Sequence, residues 1–223
     1  MIQKLTHWHT IMRLKICGMR EAKNIRQLLA LQPDYMGFIF YEKSSRFVGG
    51  KLDEELLKSF PFTTRKVGVF VNATAAYILE MYKKYELDYV QLHGEELPDF
   101  CRNLKLKGVN IIKAFSMDAN FNFGKLQNYK PHCDFFLFDT KGKERGGNGI
   151  TFDWNILNQY DNEKPFFLAG GIDLENIINA LEINGLKIHS LDVNSKFETS
   201  PAMKDISKIE ELMRILKPEM VEV

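Results

Sequence analysis

Two ionisable side chains stand at the ends of apolar runs, where a proton could be given or taken. Cys17 closes RLKIC and Asp139 closes DFFLFD. A free thiol titrates near ~8.5, so little of it is thiolate at neutral pH unless a cation or a helix N-terminus stabilises the anion. Lys15, two residues earlier and on the same face of a strand, could supply that charge. The competing reading of Cys17 is a small buried hydrophobe, and that reading serves for Cys101, inside a helical stretch, and for Cys133. A carboxyl reached through FFLF meets either desolvation, which keeps a proton on it, or a nearby donor, which holds it ionised. Alternatively Asp139 caps the backbone of the glycine-rich loop GKERGGNG that follows.

The other candidates are binding groups. Arg46 follows Lys43, Ser44 and Ser45, and either its planar fork grips a carboxylate or it is a solvated loop arginine. His93, after VQL, either polarises a ligand or packs as a core ring. Gly170 and Gly171 precede a helical segment, and Asn194, Ser195 and Lys196 follow the last apolar run. Glycines let backbone N–H groups approach an anion and a helix N-terminus adds a favourable dipole, so these two loops read as a phosphate site, although Gly-Gly is also common turn chemistry. His7 and His9, in HWH, have no carboxylate or cysteine companion, so no metal site is expected. His132 and His189 carry no signal.

All of these residues need elements to hold them. Short β-rich runs recur at 13–17, 34–40, 66–71, 88–92, 110–115, 134–139, 165–169 and 188–193. Between them lie helical stripes such as Ala22, Ile25, Leu28 and Leu29, then Ala75, Ile78, Leu79 and Tyr82, then Ile177, Ile178 and Leu181. Asn72 and Asp173 are the expected caps of the third and seventh helices. Eight βα units either close into a (β/α)₈ barrel or open into a doubly wound sheet. A doubly wound dinucleotide fold should carry GxGxxG after its first strand, whereas CGMREAK stands there, so a single-domain α/β barrel over 13–223 is expected, preceded by a tail at 1–12. In a barrel, ligands bind at the C-terminal ends of the strands, where these candidates fall, and phosphate commonly sits after strands 7 and 8.

The chain has 223 residues, of which 45% are hydrophobic, and its 30 Lys+Arg against 29 Asp+Glu leave a net charge of +1. That balance argues against disorder and against a nucleic-acid surface. No apolar stretch approaches the ~20 residues of a membrane span, and the N-terminal residues lack the apolar core of a secretory signal. Three cysteines, odd in number and without CxxC spacing, fit free thiols in a reducing compartment.

Read together and in order, KICGM at 15–19, GFIFYEKSSRFV at 37–48, VGVFVN at 67–72, VQLHGEE at 90–96, FDTKG, GGNG and FDW between 138 and 154, LAGGI at 168–172 and LDVNSKFE at 191–198 resemble the phosphoribosylanthranilate isomerase family of tryptophan biosynthesis. The resemblance runs from about Arg13 to about Lys208. It implies a TIM barrel of the ribulose-phosphate-binding type that performs an Amadori rearrangement, converting N-(5-phosphoribosyl)anthranilate into 1-(2-carboxyphenylamino)-1-deoxyribulose 5-phosphate. It implies Asp139 as the general acid that opens the ribose ring and Cys17 as the general base at C2. It also implies Arg46 on the anthranilate carboxylate with His93 lining the same pocket, and phosphate on the loops at 170–171 and 194–196. No cofactor is implied, because the iminium nitrogen is the electron sink. The implied partner is a small-molecule substrate in the cytoplasm, with other tryptophan-pathway enzymes as the protein partners to consider and neither nucleic acid nor membrane expected.

One departure stands out. The family pattern DVSSGVE reads DVNSKFE here, so Asn194 replaces a serine and Lys196 a glycine. Lysine tolerates a positive φ poorly, yet its ammonium could neutralise phosphate directly. Three rivals stay open on the residues alone: a barrel isomerase for another sugar phosphate, a non-catalytic phosphate-binding barrel, and a cysteine hydrolase using Cys17 and His93.

Overall fold

A computed structural model describes residues 12–140 and 153–217. Eight parallel strands close into a barrel in sequential order. They are β1 (Arg13–Ile16), β2 (Tyr35–Ile39), β3 (Arg65–Phe70), β4 (Tyr89–Leu92), β5 (Ile111–Met117), β6 (Phe135–Thr140), β7 (Phe166–Leu168) and β8 (Ile188–Val193). The register is closed by β1 against β8, which pairs Lys15 with Asp192 and Ile16 with Val193. Met12, placed in the expected tail, packs against the core; residues 1–11, with His7 and His9, lie outside the described residues.

The strands read as unbroken apolar runs because both of their faces are buried. On β6, Phe136 and Phe138 point outward into the layer shared with the helices, and Leu137 joins Tyr35, Val67, Ile112 and Phe167 in a separate cluster filling the barrel. A register shift in the β7–β8 pairing sets Phe166 opposite Ile188 and Phe167 opposite Ser190, which leaves His189 as the extra residue. Its ring turns toward the barrel floor, where Nε2 lies 2.7 Å from the Tyr35 hydroxyl and the ring packs on Phe135 at 4.1 Å.

The helices are α1 (Ala22–Leu29), α2 (Glu54–Lys58), α3 (Ala75–Lys84), α4 (Pro98–Lys105), α5 (Ile177–Leu181) and α6 (Ile206–Leu216). In α6 the buried residues Ile209, Leu212, Met213 and Leu216 fall on one stripe, and Asp205 caps its N-terminus by accepting from the Lys208 N–H. Two sequence expectations need correction. Among the described residues, the connections after β5 and β6 hold 3₁₀ turns at Phe123–Asn128, Lys130–His132 and Trp154–Gln159. Gly124, Pro131 and the Asn122 and Asp153 side chains, which bond the local backbone, favour turns there over a continuous helix. The cap of α3 is Thr74, which accepts from Tyr77 N–H, whereas Asn72 has φ 49° and Oδ1 bonded to Glu95 N–H. Asp173 does cap the turn entering α5, accepting from the Glu175 and Asn176 N–H groups. After β8 the chain forms a hairpin of β9 (Glu198–Ser200) and β10 (Met203–Lys204) before α6. No helix among the described residues is long and apolar enough to cross a membrane.

Candidate active site

The mouth of the barrel, at the C-terminal ends of the strands, holds a cavity of about 800 Å³ counting its opening to solvent. All nine residues singled out from the sequence line it. Cys17 directly follows β1, His93 follows β4, Asp139 lies near the end of β6, Gly170 and Gly171 follow β7, and Asn194, Ser195 and Lys196 follow β8. Arg46 arrives from the loop after β2, which a bridge between Phe47 and Ile39 folds back onto the barrel. The glycine-rich loop 142–149 lies outside the described residues.

Cys17 is buried, and burial pushes its thiol above the ordinary value; the Lys15 and Lys204 ammonium groups draw it back without cancelling the effect, and Asp192 adds to it. Lys15 does supply the charge foreseen for it, and burial outweighs that charge. Lys15 shares its charge with Asp192, its cross-strand neighbour, at 2.8 Å inside the barrel. Burial works against the Lys15 cation, but the Asp192 carboxylate and the adjacent Cys17 outweigh it and hold its pKa above the ordinary lysine value. Asp192 Oδ1 and Gln91 Oε1 are the acceptors at this cavity that are buried without a partner among the described residues. Each is therefore open to a ligand hydroxyl.

Asp139 has both oxygens engaged. Oδ1 accepts from the Thr140 N–H at 2.9 Å and Oδ2 lies 3.2 Å from His93 Nε2. His93 Nδ1 in turn lies 2.9 Å from the Gln91 side-chain nitrogen. With that amide donating, Nδ1 is the acceptor and Nε2 carries the hydrogen toward Asp139. Both environments foreseen for Asp139 are present, since the side chain is buried as well as placed beside a donor, and His93 serves the carboxyl group as well as lining the cavity.

Arg46 is already engaged by Glu198 through two of its three guanidinium nitrogens. Nε lies 3.0 Å from both carboxylate oxygens and Nη2 lies 2.7 Å from Oε2. Glu198 is further paired with Lys204, whose Nζ lies 2.6 Å from Oε1. The Glu198 carboxyl is held below its ordinary value, burial being outweighed by Arg46 and Lys204, while burial brings Lys204 down to about 8 against the pull of Glu198. Glu198, Lys204 and Asp192 were not singled out as site residues from the sequence. Only Asp192, two positions before Asn194 and on the same face of β8, carried a readable signal.

In the two anion loops, Gly170 and Gly171 both take positive φ, 89° and 68°. A Cβ at Gly170 would stand 2.2 Å from Thr140 Oγ1 and 2.5 Å from Thr140 N, so only glycine fits. Among the described residues, the N–H groups of Gly170, Gly171, Ser195 and Lys196 have no protein acceptor. Lys196 is not among the positive-φ residues and sits in a 3₁₀ turn, so its replacement of glycine strains nothing. Its ammonium reaches 4.0 Å from Asp173 at the turn before α5. No group of three or more His, Cys, Asp or Glu side chains among the described residues is arranged to hold a metal ion.

The model of the family described as N-(5'phosphoribosyl)anthranilate (PRA) isomerase matches residues 14–214. The N-(5'-phosphoribosyl)anthranilate isomerase of Parabacteroides distasonis is 43% identical over 209 residues, which cover 93% of this chain and 95% of that protein. The phosphoribosyl anthranilate isomerase of Thermotoga maritima superposes with a TM-score of 0.78 at 30% identity, covering 93% of this chain and 99% of that one. A phosphoribosyl anthranilate isomerase in complex with reduced 1-(o-carboxyphenylamino)-1-deoxyribulose 5-phosphate superposes with a TM-score of 0.80 at 29% identity, with the same coverage of 93% and 99%. The chain belongs to the N-(5'-phosphoribosyl)anthranilate isomerase family.

Proposed function

We propose that this chain isomerises N-(5'-phosphoribosyl)anthranilate to 1-(2-carboxyphenylamino)-1-deoxyribulose 5-phosphate in tryptophan biosynthesis, with Asp139 as general acid and Cys17 as general base. The observation that carries the reading is the meeting of a buried thiol, a donor-held carboxyl and two anion-ready loops around one cavity in a member of this family. Asp139 gives its proton to the ribose ring oxygen as the bond from that oxygen to C1 breaks, and the anthranilate nitrogen lone pair forms the iminium. The carboxylate left behind keeps its hydrogen bonds from His93 and from the Thr140 N–H, which stabilise the new charge.

Cys17 then takes the C2 proton, and the released electron pair forms the C1–C2 double bond while the iminium pair returns to nitrogen. The C2 hydroxyl loses its proton and C1 gains one, giving the ketone. C1 is reduced as C2 is oxidised, so no external electron carrier is consumed. A thiol held up by burial must lose its proton, to water at the open mouth of the cavity, before it can act. Lys15 favours that loss at rest, and the positive charge created by ring opening favours it further once substrate is bound.

At the ends of the substrate, the N–H groups of Gly170, Gly171, Ser195 and Lys196 suit the phosphate, with Lys196 adding charge. Arg46, held by Glu198 through Nε and Nη2, offers Nη1 to the aryl carboxylate. Gln91 Oε1 and Asp192 Oδ1 suit the sugar hydroxyls. The decay of phosphoribosylanthranilate fluorescence on mixing with the protein tests the reading. A protein-dependent decay with stoichiometric formation of the keto product is expected, and substrate left unconsumed overturns it.

A further inference from the structure

Arg46 and Glu198 on their own form a neutral pair, which is a poor receptor for an anion. Their side chains are only 12% and 4% exposed, so little solvent screens either charge. A carboxylate approaching Arg46 would meet the attraction of the guanidinium and, little screened in these buried surroundings, the opposing repulsion of Glu198. A third charge decides the balance. Lys204 is fully buried, Glu198 is its cross-strand partner in the β9–β10 hairpin, and its Nζ lies 2.6 Å from Glu198 Oε1.

We propose that Lys204 is a positioning residue that makes the cavity selective for a carboxylated ligand: by neutralising Glu198 it leaves the Arg46–Glu198–Lys204 group with one net positive charge, presented by Arg46. The inference rests on the functional reading above, in which Arg46 meets the aryl carboxylate.

The placement of Lys204 is fixed from two sides. Its backbone N–H donates to Asn24 Oδ1 at 2.7 Å and its carbonyl accepts from Asn24 Nδ2 at 3.0 Å, so α1 clamps the residue in a buried position. Its ammonium also donates to Asn194 Oδ1 at 2.8 Å, which ties the lysine to the loop after β8. Gly18 packs into the same corner, where a Cβ would stand 2.7 Å from both Arg46 Cδ and Asn194 Oδ1. The charged and titratable groups that face Lys204 are thus Glu198 from β9, Arg46 from the loop after β2 and Cys17 from the end of β1. Asn194, which replaces the serine of the family pattern, gives Lys204 a neutral acceptor and leaves the sum of charges unchanged.

Loss of Lys204 would also push the Cys17 thiol further up, which would slow turnover of any substrate, so the test is binding. Two inert ligands are compared by calorimetry: reduced 1-(2-carboxyphenylamino)-1-deoxyribulose 5-phosphate and its counterpart with an unsubstituted phenyl ring. In Lys204→Gln the preference for the carboxylated ligand is expected to fall about tenfold or more, while affinity for the carboxyl-free ligand changes less than about threefold. Lys204→Arg should keep the preference. Glu198→Gln/Lys204→Gln restores one net positive charge and should regain most of it. Equal weakening of both ligands in Lys204→Gln, or no recovery in the double variant, overturns the role of the lysine. A wild-type protein that binds neither ligand and leaves phosphoribosylanthranilate unconsumed overturns the functional reading instead.

Discussion

Replacing Lys15 with Met removes half of an ion pair buried beneath the cavity. The pair spans 2.8 Å, from Lys15 Nζ to Asp192 Oδ2, with side chains 0% and 8% exposed, and Asp192 Oδ1 has no partner among the described residues. Removing one member of a buried pair leaves an uncompensated charge, which costs about 3–5 kcal/mol and, for a chain of this size, about 6–20 °C in Tm. Asp192 can escape part of that cost by taking up a proton, in the direction burial already pushes it, with Lys15 opposing. The variant's deficit should therefore be full at neutral pH and shrink as pH falls through the raised Asp192 pKa. Urea unfolding at about pH 7.5 and about pH 5 measures both values. The double variant Lys15→Met/Asp192→Asn removes both charges and should recover most of the stability, yet Cys17 still lacks its cation, so turnover should stay low. A Lys15→Met protein within about 1 kcal/mol of wild type would refute the energetic reasoning. Recovery of turnover together with stability in the double variant would refute the electrostatic role at Cys17.

Burial, with Arg13 adding to it, lowers the His189 pKa to about 4, whereas the unfolded chain binds that proton near ~6.5. Stability should thus fall between those values as pH drops, by roughly 2–3 kcal/mol after allowing for partial exposure, and His189→Gln should flatten this acid limb. An unchanged limb contradicts it. Gly170→Ala forces a Cβ into Thr140 at positive φ and should cost about 1–3 kcal/mol while raising KM for phosphoribosylanthranilate; wild-type Tm and KM would contradict the fit at this loop. Lys196, 41% exposed, should add a screened attraction for phosphate, so ligand affinity in Lys196→Gly should decline less steeply with salt than in wild type, and equal slopes would exclude the ammonium from the site.

The barrel was readable because a strand buried on both faces leaves a short apolar run, and all eight runs lie within two residues of the strands found. The reactive residues were readable for a related reason: strand ends define one rim, so Cys17, His93, Asp139 and the loops after β7 and β8 had to gather there. Their partners were not. Arg46 and Glu198 are 152 residues apart and Lys15 and Asp192 are 177 apart, and no periodicity in the chain announces such pairs; they follow from barrel closure and from a hairpin visible only once folded. The same holds for the buried thiols of Cys101, on α4, and Cys133, just before β6, which influence each other's ionisation across 32 residues of sequence. Local ambiguity explains the remaining misses. Asn72 and Thr74 are equally good caps, and the Asn72 side chain goes to Glu95 instead. His189 faces inward only because the β7–β8 register slips.

Division of the two proton transfers between a thiol and a carboxyl is best tested by following phosphoribosylanthranilate fluorescence with Cys17→Ala and with Asp139→Asn. Each variant should turn over ~10²–10⁴-fold more slowly while binding the reduced product analogue within about threefold of wild type. Near-normal turnover in either one would contradict the scheme and remove that residue from it.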